Sequence, residues 1–286
     1  MTLSQLYSLL KSQLSDFFTN QNENIAVSRQ IIKHITGYSS SDIVLKSDIE
    51  INIDNNFINN IIARIKKSEP LEYIFNNAQF LDLELFTESS VLIPRPETEE
   101  LVIKISNFLK NKNNFNILDI GTGSGCIPIY LAINNPKNNY FACDISEKAI
   151  FTATKNANKY NLNNINIFLA DILNYQNNKI LTSTKFDVIV SNPPYVTNSE
   201  KTLMKSNVLN FEPHNALFVS DNDPLLFYIK ITEFATKYLN QNGKLYFEIN
   251  ERFGSETYSM MKQFGLKKII IHKDLFGKER MIEADI

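Results

Sequence analysis

A run of residues, 117–125, constrains the fold more than any other part of the chain. It begins as an apolar strand, continues with three alternating glycines, and leads into a helix predicted to begin near Cys126. Glycines at such a strand-to-helix turn let the backbone bend tightly and let a bulky ligand lie against it. The run therefore predicts an α/β protein that binds a nucleotide-like ligand at the carboxyl end of a strand.

Apolar runs alternate with helical segments from residue 94 to the C-terminus, which is typical of a doubly wound, mostly parallel sheet. The last two predicted strands are joined by a loop too short for a crossover helix, so they should form an antiparallel edge. We predict seven strands, at residues 116–119, 139–144, 165–169, 186–191, 243–249, 266–272 and 280–284. Asn242-Gly243 is expected to be a turn just before the fifth strand.

Helical spacing of Leu and Ile residues predicts a small helical domain over residues 1–70. In it, Asp54 is a candidate N-cap of the third helix, and Pro70 stops that helix. Residues 71–93 change to short alternating runs, including 91–93, and predict a β-hairpin linker. The α/β domain then spans 94–286, and its first helix is expected to begin at Glu97 or Thr98.

An acidic residue, Asp119, stands directly before the glycines and separates two classes of ligand. It would repel the pyrophosphate of a dinucleotide, whereas S-adenosylmethionine carries a cationic amino group and a sulfonium. Asp144 ends the next predicted strand, where a carboxylate can accept hydrogen bonds from both ribose hydroxyls. Asp171 follows the third strand and is expected to meet the adenine amine, with Ile172 beside the ring. Acids after three successive strands predict S-adenosylmethionine as the cofactor.

The fourth predicted strand ends in Asn192-Pro193-Pro194-Tyr195, at the edge where such sheets bind ligands. The prolines remove backbone donors, so the loop carbonyls are left free to accept hydrogen bonds. We expect the Asn192 side-chain oxygen and the Pro193 carbonyl to accept the two hydrogens of a planar nitrogen group, and Tyr195 to pack on its flat face. These four residues are predicted to bind the substrate, with Asn192, Pro193 and Tyr195 catalytic.

Charge, cysteine spacing and hydropathy limit the partners and the location of the protein. The net charge is −2, and the residues before Ser90 hold 7 basic against 11 acidic side chains, which favours a protein partner over stable nucleic-acid binding. Cys126 and Cys143 lack metal-ligand spacing, so we expect buried free thiols and no metal site. No apolar run approaches the roughly 18 residues of a membrane span, and the N-terminus has no signal-peptide pattern. A cytoplasmic protein is expected.

Six motifs together resemble the release-factor glutamine methyltransferase family (PrmC/HemK), whose members are class I S-adenosylmethionine-dependent enzymes. The resemblance covers nearly the whole chain and rests on EPLEYIF (69–75), LIPRPETE (92–99), DIGTGSG (119–125), SNPPY (191–195), FEP (211–213) and DLFGKER (274–280). It implies that the cofactor is held by Gly121, Thr122, Gly123, Ser124, Gly125 and Asp144, with Asn192 between cofactor and substrate. We assign Arg95, Glu97 and Arg280 to scaffolding.

In that family a helical N-terminal domain helps bind a class 1 peptide release factor, and the glutamine of its Gly-Gly-Gln motif is methylated on the amide nitrogen. The resemblance implies the same reaction and the same docking role for residues 1–70. The motif at 192–195 suits any planar nitrogen, so three alternatives stay open: a base amino-group methyltransferase on RNA or DNA, a ribosomal-protein glutamine methyltransferase, and a cofactor-binding module without catalysis.

Overall fold

The computed structural model describes residues 1–286 and divides the chain into two units, Met1–Asn76 and Asn77–Ile286. The domain limits at 70 and 93 stay predictions. No helix is long and apolar enough to cross a membrane. Both cysteines, Cys126 and Cys143, are free and buried, as predicted.

The first unit is built from helices whose apolar stripes face one another. Asp54 is an N-cap, as predicted, because its side chain accepts a hydrogen bond from Asn56 N at 2.9 Å. Pro70 follows the end of the preceding helix and is also the N-cap residue of a further short helix. The helices are α1 (Leu3–Leu14), α2 (Gln21–Thr36), α3 (Ser40–Leu45), α4 (Asn55–Lys66) and α5 (Leu71–Ile74), of which sequence periodicity missed the short α3 and α5.

The second unit contains a hairpin followed by alternating strands and helices. Its strands are β1 (Ala78–Phe80), β2 (Leu83–Leu85), β3 (Asn116–Ile120), β4 (Asn139–Asp144), β5 (Ile165–Leu169), β6 (Phe186–Ser191), β7 (Val196–Thr197), β8 (Phe218–Val219), β9 (Leu239–Glu248), β10 (Lys267–Lys273) and β11 (Glu279–Asp285). Its helices are α6 (Pro96–Leu109), α7 (Cys126–Asn134), α8 (Glu147–Lys159), α9 (Lys179–Ser183), α10 (Ser206–Phe211), α11 (His214–Leu217), α12 (Leu226–Tyr238) and α13 (Gly254–Gln263). Three 3₁₀ helices lie at Ile172–Asn177, Asn198–Leu203 and Glu251–Phe253.

Seven strands form the main sheet in the order β10-β11-β9-β6-β3-β4-β5. The pairs from β9 to β5 are parallel, and β11 pairs antiparallel with both β9 and β10. The predicted mostly parallel sheet with an antiparallel C-terminal edge is therefore confirmed. The chain runs outward from β3 to β5 and then returns to place β6 on the other side of β3. This reversal creates a crevice at the carboxyl ends of β3 and β6, where open α/β sheets bind ligands.

Helices cover both faces of the sheet because successive strand residues point to opposite sides. On one face, Leu118 and Ile189 pack with α12 and α13 in one buried apolar cluster. On the other face, Ile117 and Val188 pack with α6 and α7 in a second cluster. The two cores hold the strand ends rigidly, so the loops that leave those ends have a fixed starting position.

Asn242 and Gly243 lie inside β9, so the predicted turn before this strand is wrong. Asn242 has a φ of +65°, and the pairing between β6 and β9 shifts register between Phe186 and Val188. An Asn in the left-handed region is a common way to form a bulge, and a bulge interrupts the ladder without ending the strand. The Asn-Gly pair thus marks a bulge within β9, and the strand itself begins earlier, at Leu239.

Helix α6 begins at Pro96 rather than at Glu97 or Thr98. Proline suits the first helical position because its φ is already helical and its missing N–H would have no partner there. The N-cap is Arg95, and no side chain caps this helix end. The Thr98 hydroxyl is therefore available for a contact outside the helix.

The apolar run at 91–93 is a loop rather than a strand, so the hairpin is confined to β1 and β2. Residues 78, 79 and 80 pair with 85, 84 and 83 in this hairpin. Val91 and Leu92 instead line the cavity described below. Alternation alone could not separate a short strand from a loop whose apolar side chains cover a ligand site.

Candidate active site

A cavity of about 240 Å³ lies at the carboxyl ends of β3, β4 and β6. It occupies the crevice expected from the reversal of the chain between β5 and β6. Eight of the residues predicted for the site line it together: Gly121, Gly123, Asp144, Asp171, Ile172, Asn192, Pro193 and Pro194. Five others are not part of its wall: Asp119, Thr122, Ser124, Gly125 and Tyr195.

The glycine-rich turn between β3 and α7 adopts left-handed backbone conformations. Gly121, Gly123 and Gly125 have φ values of 76°, 53° and 80°. A Cβ on Gly121 or Gly123 would point into open space, so these two leave room beside the backbone for a ligand. A Cβ on Gly125 would lie 3.1 Å from the Ala153 Cβ. Gly125 therefore serves the close packing of α7 against α8.

Asp144 ends β4, as predicted, and its carboxylate holds the glycine turn. Its Oδ2 accepts from Gly123 N at 3.0 Å, and its Oδ1 accepts from Ser146 N at 2.9 Å. Burial raises the pKa of this carboxyl, and the backbone donors oppose that rise. A carboxylate has about four acceptor positions, so these backbone donors do not use all of them, and the contact with the ribose hydroxyls stays a prediction.

Asp119 lies beneath the turn and is 1% exposed. Neither of its carboxylate oxygens has a hydrogen bond of normal geometry within the protein, and the nearby Thr122 hydroxyl lowers the pKa of this carboxyl only in part. Burial raises the pKa of Asp119 to about 7, and the charge of Asp144 adds to this rise. A buried carboxylate without a partner is costly unless a cation compensates it. The site therefore fits a ligand with an amino group, as S-adenosylmethionine has, better than one with a pyrophosphate.

Asp171 and Ile172 lie in the cavity wall beside the end of β5. Both Asp171 oxygens are engaged locally, since Oδ1 accepts from Leu173 N at 2.9 Å and Oδ2 from Asn174 Nδ2 at 2.7 Å. The residue thus caps the 3₁₀ helix Ile172–Asn177. The adenine amine would have to donate to a second lone pair on one of these two oxygens. The contact of Asp171 with adenine therefore stays a prediction.

The loop after β6 presents Asn192, Pro193 and Pro194 to the cavity, whereas Tyr195 is half-buried outside the wall. The Tyr195 hydroxyl donates to Glu248 Oε1 at 3.0 Å. Burial raises the pKa of this phenol, and the charge of Glu248 adds to the rise, so the hydroxyl stays a donor. The stacking of Tyr195 on the substrate stays a prediction.

Two side chains that sequence reasoning did not assign lie directly behind this loop. Asn192 Nδ2 donates to Thr98 Oγ1 at 3.1 Å, and Thr98 Oγ1 donates to Glu248 Oε2 at 2.6 Å. Both partners are buried, with Thr98 2% and Glu248 1% exposed. Thr98 lies in the LIPRPETE motif, where its position before an apolar helix predicts only a helix start. An acid at the end of the long β9 was the one available signal for Glu248.

The rest of the wall comes from segments that carry no ligand motif. Leu92 precedes α6, Asn215 lies in α11, and Phe227 and Ile231 lie in α12. Apolar side chains around a few polar groups are usual for a site that binds an aromatic ring. The apolar side of this cavity suits an adenine base, and its polar side suits a ribose and an amino acid.

Sheet order, glycine turn and strand-end acid together define the class: this is an S-adenosylmethionine-dependent methyltransferase. A family model described as a methyltransferase domain matches residues 111–260. The release factor glutamine methyltransferase of Flavobacterium psychrophilum is 46% identical over 248 residues, covering 85% of each chain. That of Bacteroides thetaiotaomicron is 38% identical and covers 99% of this chain and all (100%) of its own. The chain belongs to the release factor glutamine methyltransferase family.

Solved structures agree on the fold. The hMettl16 catalytic domain in complex with MAT2A 3′UTR hairpin 6 has a TM-score of 0.56 at 16% identity, covering 71% of this chain and 74% of that one. A methyltransferase from Pyrococcus furiosus has a TM-score of 0.51 at 19% identity, with coverages of 79% and 98%. At these identities the two structures establish the shared fold and nothing about the substrate.

Proposed function

We propose that the protein transfers a methyl group from S-adenosylmethionine to the side-chain amide nitrogen of the glutamine in the Gly-Gly-Gln motif of class 1 peptide release factors. Family membership over nearly the whole chain carries this proposal. The loop at 192–195 supports it, because its acceptors suit the two hydrogens of a primary amide. The cofactor would supply an electrophilic methyl group on a sulfonium. Its carbon–sulfur bond would break as the carbon–nitrogen bond forms, the sulfur would leave as a neutral thioether, and the methylated amide would release one proton to solvent.

The residues of the chain orient the reacting nitrogen. An amide nitrogen is a poor nucleophile because its lone pair is conjugated with the carbonyl. Asn192 Oδ1 and the Pro193 carbonyl accept the two amide hydrogens and hold the nitrogen towards the cofactor. These acceptors also stabilise the positive charge that the nitrogen gains as the bond forms. Alignment in a cavity closed by apolar side chains supplies the rest of the acceleration.

The partner and the location are part of the same proposal. Residues 1–70 dock the release factor, and the reaction takes place in the cytoplasm, where translation ends. The excess of acidic over basic side chains before Ser90 supports a protein partner. Stable binding of nucleic acid is not expected.

The test is methyl transfer from labelled S-adenosylmethionine to purified release factor. We expect one methyl group on the glutamine of the Gly-Gly-Gln motif, located by mass spectrometry of a digest. The matched substrate, a release factor with Gln→Ala in that motif, should remain unlabelled. Parallel reactions contain ribosomal proteins, RNA or DNA in place of release factor, and we expect no labelling in them.

Labelling that survives the Gln→Ala change, or that appears on nucleic acid in place of the release factor, would contradict the proposal. Labelling of a ribosomal-protein glutamine would instead support the other branch of glutamine methylation. Removal of residues 1–70 is not a suitable control, since it would expose Leu71, Ile74 and Phe75, which pack in the apolar core of the first unit.

A further inference from the structure

The buried carboxylate of Glu248 connects both ends of the loop at 192–195. It ends β9, the parallel neighbour of the strand that leads into this loop. Its Oε1 accepts from the Tyr195 hydroxyl at 3.0 Å, and its Oε2 accepts from the Thr98 hydroxyl at 2.6 Å. Thr98 in turn contacts Asn192 at 3.1 Å. One side chain thus fixes the tyrosine directly and the asparagine through a threonine.

The chemistry of this chain sets the direction of each hydrogen bond. An ionised carboxylate can only accept, so the single hydroxyl hydrogen of Thr98 is used towards Glu248. The Thr98 oxygen can then only accept on its other side, and Asn192 must present its NH₂ group to it. The Asn192 amide is therefore held in one of its two flipped orientations. Its Oδ1 has no hydrogen-bond partner within the protein and is left for a ligand donor.

The ionised form of Glu248 that this direction needs is stabilised by a hydroxyl donor on each carboxylate oxygen, at 3.0 Å and 2.6 Å, against the effect of burial. Burial and the charge of Glu97 raise the pKa of the Glu248 carboxyl above its ordinary value, although Thr98, Tyr195 and the charge of Arg280 lower it in part. The Tyr195 hydroxyl remains protonated and donates, so one carboxylate oxygen is already committed to accepting. A protonated Glu248 could reverse the chain and turn the Asn192 nitrogen towards the substrate. The donors and Arg280 act against that reversal.

We propose that Thr98 and Glu248 are positioning residues that orient the Asn192 amide with Oδ1 towards the cavity, where it accepts a hydrogen from the substrate amide. The inference rests on the proposed function, because the substrate nitrogen must carry hydrogens. The carboxylate also polarises Thr98, and a polarised hydroxyl is a stronger acceptor for the Asn192 NH₂ group. This polarisation increases the negative charge on Oδ1 as the substrate nitrogen becomes positive.

The test compares two substitutions of one residue. Thr98→Val keeps the shape of the side chain but removes the hydroxyl, whereas Thr98→Ser keeps the hydroxyl. We expect Thr98→Val to lower kcat for release factor by about 100-fold, since a misaligned acceptor group costs on this order. The dissociation constant for S-adenosylmethionine should stay unchanged, and Thr98→Ser should keep most of the wild-type kcat.

Thr257→Val is the matched control for a purely structural effect. Thr257 is a buried helix threonine whose hydroxyl donates to Phe253 O at 2.7 Å, in α13 and outside the cavity wall. Both valine variants remove one buried hydroxyl, so both should lower Tm. Only Thr98→Val should lower kcat. Equal loss of kcat in the two variants, or full activity of Thr98→Val, would overturn the inference.

A second measurement does not depend on activity. In protein labelled with ¹⁵N-asparagine, the NH₂ signals of Asn192 are those lost in Asn192→Ala. They should be protected from solvent exchange in the wild type and in Thr98→Ser, and exposed in Thr98→Val and in Glu248→Ala. If release factor were not a substrate at all, the proposed function would fail, whereas this comparison would still decide the role of Thr98. Unchanged Asn192 signals in Thr98→Val would overturn it.

Discussion

The two ends of the cavity are built in different ways. At the cofactor end, the glycine turn and Asp144 are joined by a hydrogen bond from Gly123 N across 21 positions, within one strand–helix–strand unit. At the substrate end, Asn192 depends on Thr98, 94 positions away, and Thr98 on Glu248, 150 positions away. The first end is defined by backbone conformation, and the second by side chains that only the folded sheet brings together. Substitutions should therefore separate cofactor binding from methyl transfer.

The largest expected effect is that of Asn192→Ala. Transfer to release factor should fall by about 1000-fold or more, the upper range for loss of a group that stabilises transition-state charge. The affinity for S-adenosylmethionine, measured by calorimetry, should remain near that of the wild type. Asn240→Ala is a matched control, because Asn240 bonds Asp187 in the β9 bulge at the other end of the strands. A large loss of cofactor affinity in Asn192→Ala would assign Asn192 chiefly to the cofactor end.

The reverse separation should follow from Asp144→Asn. Losing charged hydrogen bonds to a ribose should weaken S-adenosylmethionine binding by about 100-fold, or close to 3 kcal/mol. At saturating cofactor, kcat should change much less, because the substrate loop does not contact this carboxylate. Titration of cofactor in a transfer assay measures both quantities. A variant with normal affinity but low kcat would contradict the division of the cavity into two ends.

Two glycine substitutions test whether the cofactor end rests on backbone conformation. Gly121→Ala places a side chain in the left-handed region and should destabilise the fold by about 1–2 kcal/mol. Gly125→Ala adds a clash, since its Cβ would lie 3.0 Å from the Ile129 Cδ1, and overpacking costs about a further 1–3 kcal/mol. Thermal unfolding should therefore give a lower Tm for Gly125→Ala than for Gly121→Ala. The opposite order would contradict the assignment of Gly125 to the close packing of α7 against α8.

The same contrast explains how far the sequence could predict the protein. Strand positions, the glycine turn and Asp144 were predictable because hydrophobic periodicity and glycine conformations are local properties. The bulge in β9 was missed because an Asn-Gly pair marks a turn or a bulge equally well. Thr98 and Glu248 were missed for another reason. Each was an ordinary residue on its own element, and its partner depends on strand order, which spacing along the chain does not encode.

Tyr195 shows the same limit at the level of one side chain. The motif predicts Tyr195 beside the substrate, and it directly follows Pro194, which lines the cavity. Its direction is decided by Glu248, whose Oε1 takes the phenol hydrogen at 3.0 Å. A buried carboxylate needs donors for both of its oxygens, so the tyrosine hydroxyl is drawn towards β9. Motifs identify which residues are near a site, whereas partners from other elements set where they point.

The smallest expected effect is a pH dependence of cofactor affinity that originates at Asp119. Burial raises the pKa of this carboxyl to about 7 in the free protein, so below pH 7 it must lose a proton before its charge can attract a cationic amino group bound in the cavity. The cost approaches about 1.4 kcal/mol per pH unit well below the pKa, and the affinity for S-adenosylmethionine should fall by about fivefold between pH 7 and pH 6. Calorimetry at each pH measures it, and Asp119→Asn should remove the dependence.

Stability should depend on pH in the opposite direction. The folded-state pKa of Asp119, about 7, lies above its ordinary value of 3.8, so between these values the folded protein binds more protons than the unfolded one. Its contribution to the unfolding free energy is therefore largest at low pH and is lost as the pH rises towards 7. Asp187→Asn controls for general charge effects, because Asp187 accepts from Asn116 N at the far end of β6. If Asp119→Asn and Asp187→Asn gave the same pH profile of stability, the pKa of Asp119 would not be raised. If they gave the same pH profile of cofactor affinity, the charge of Asp119 would not act on the amino group of the cofactor.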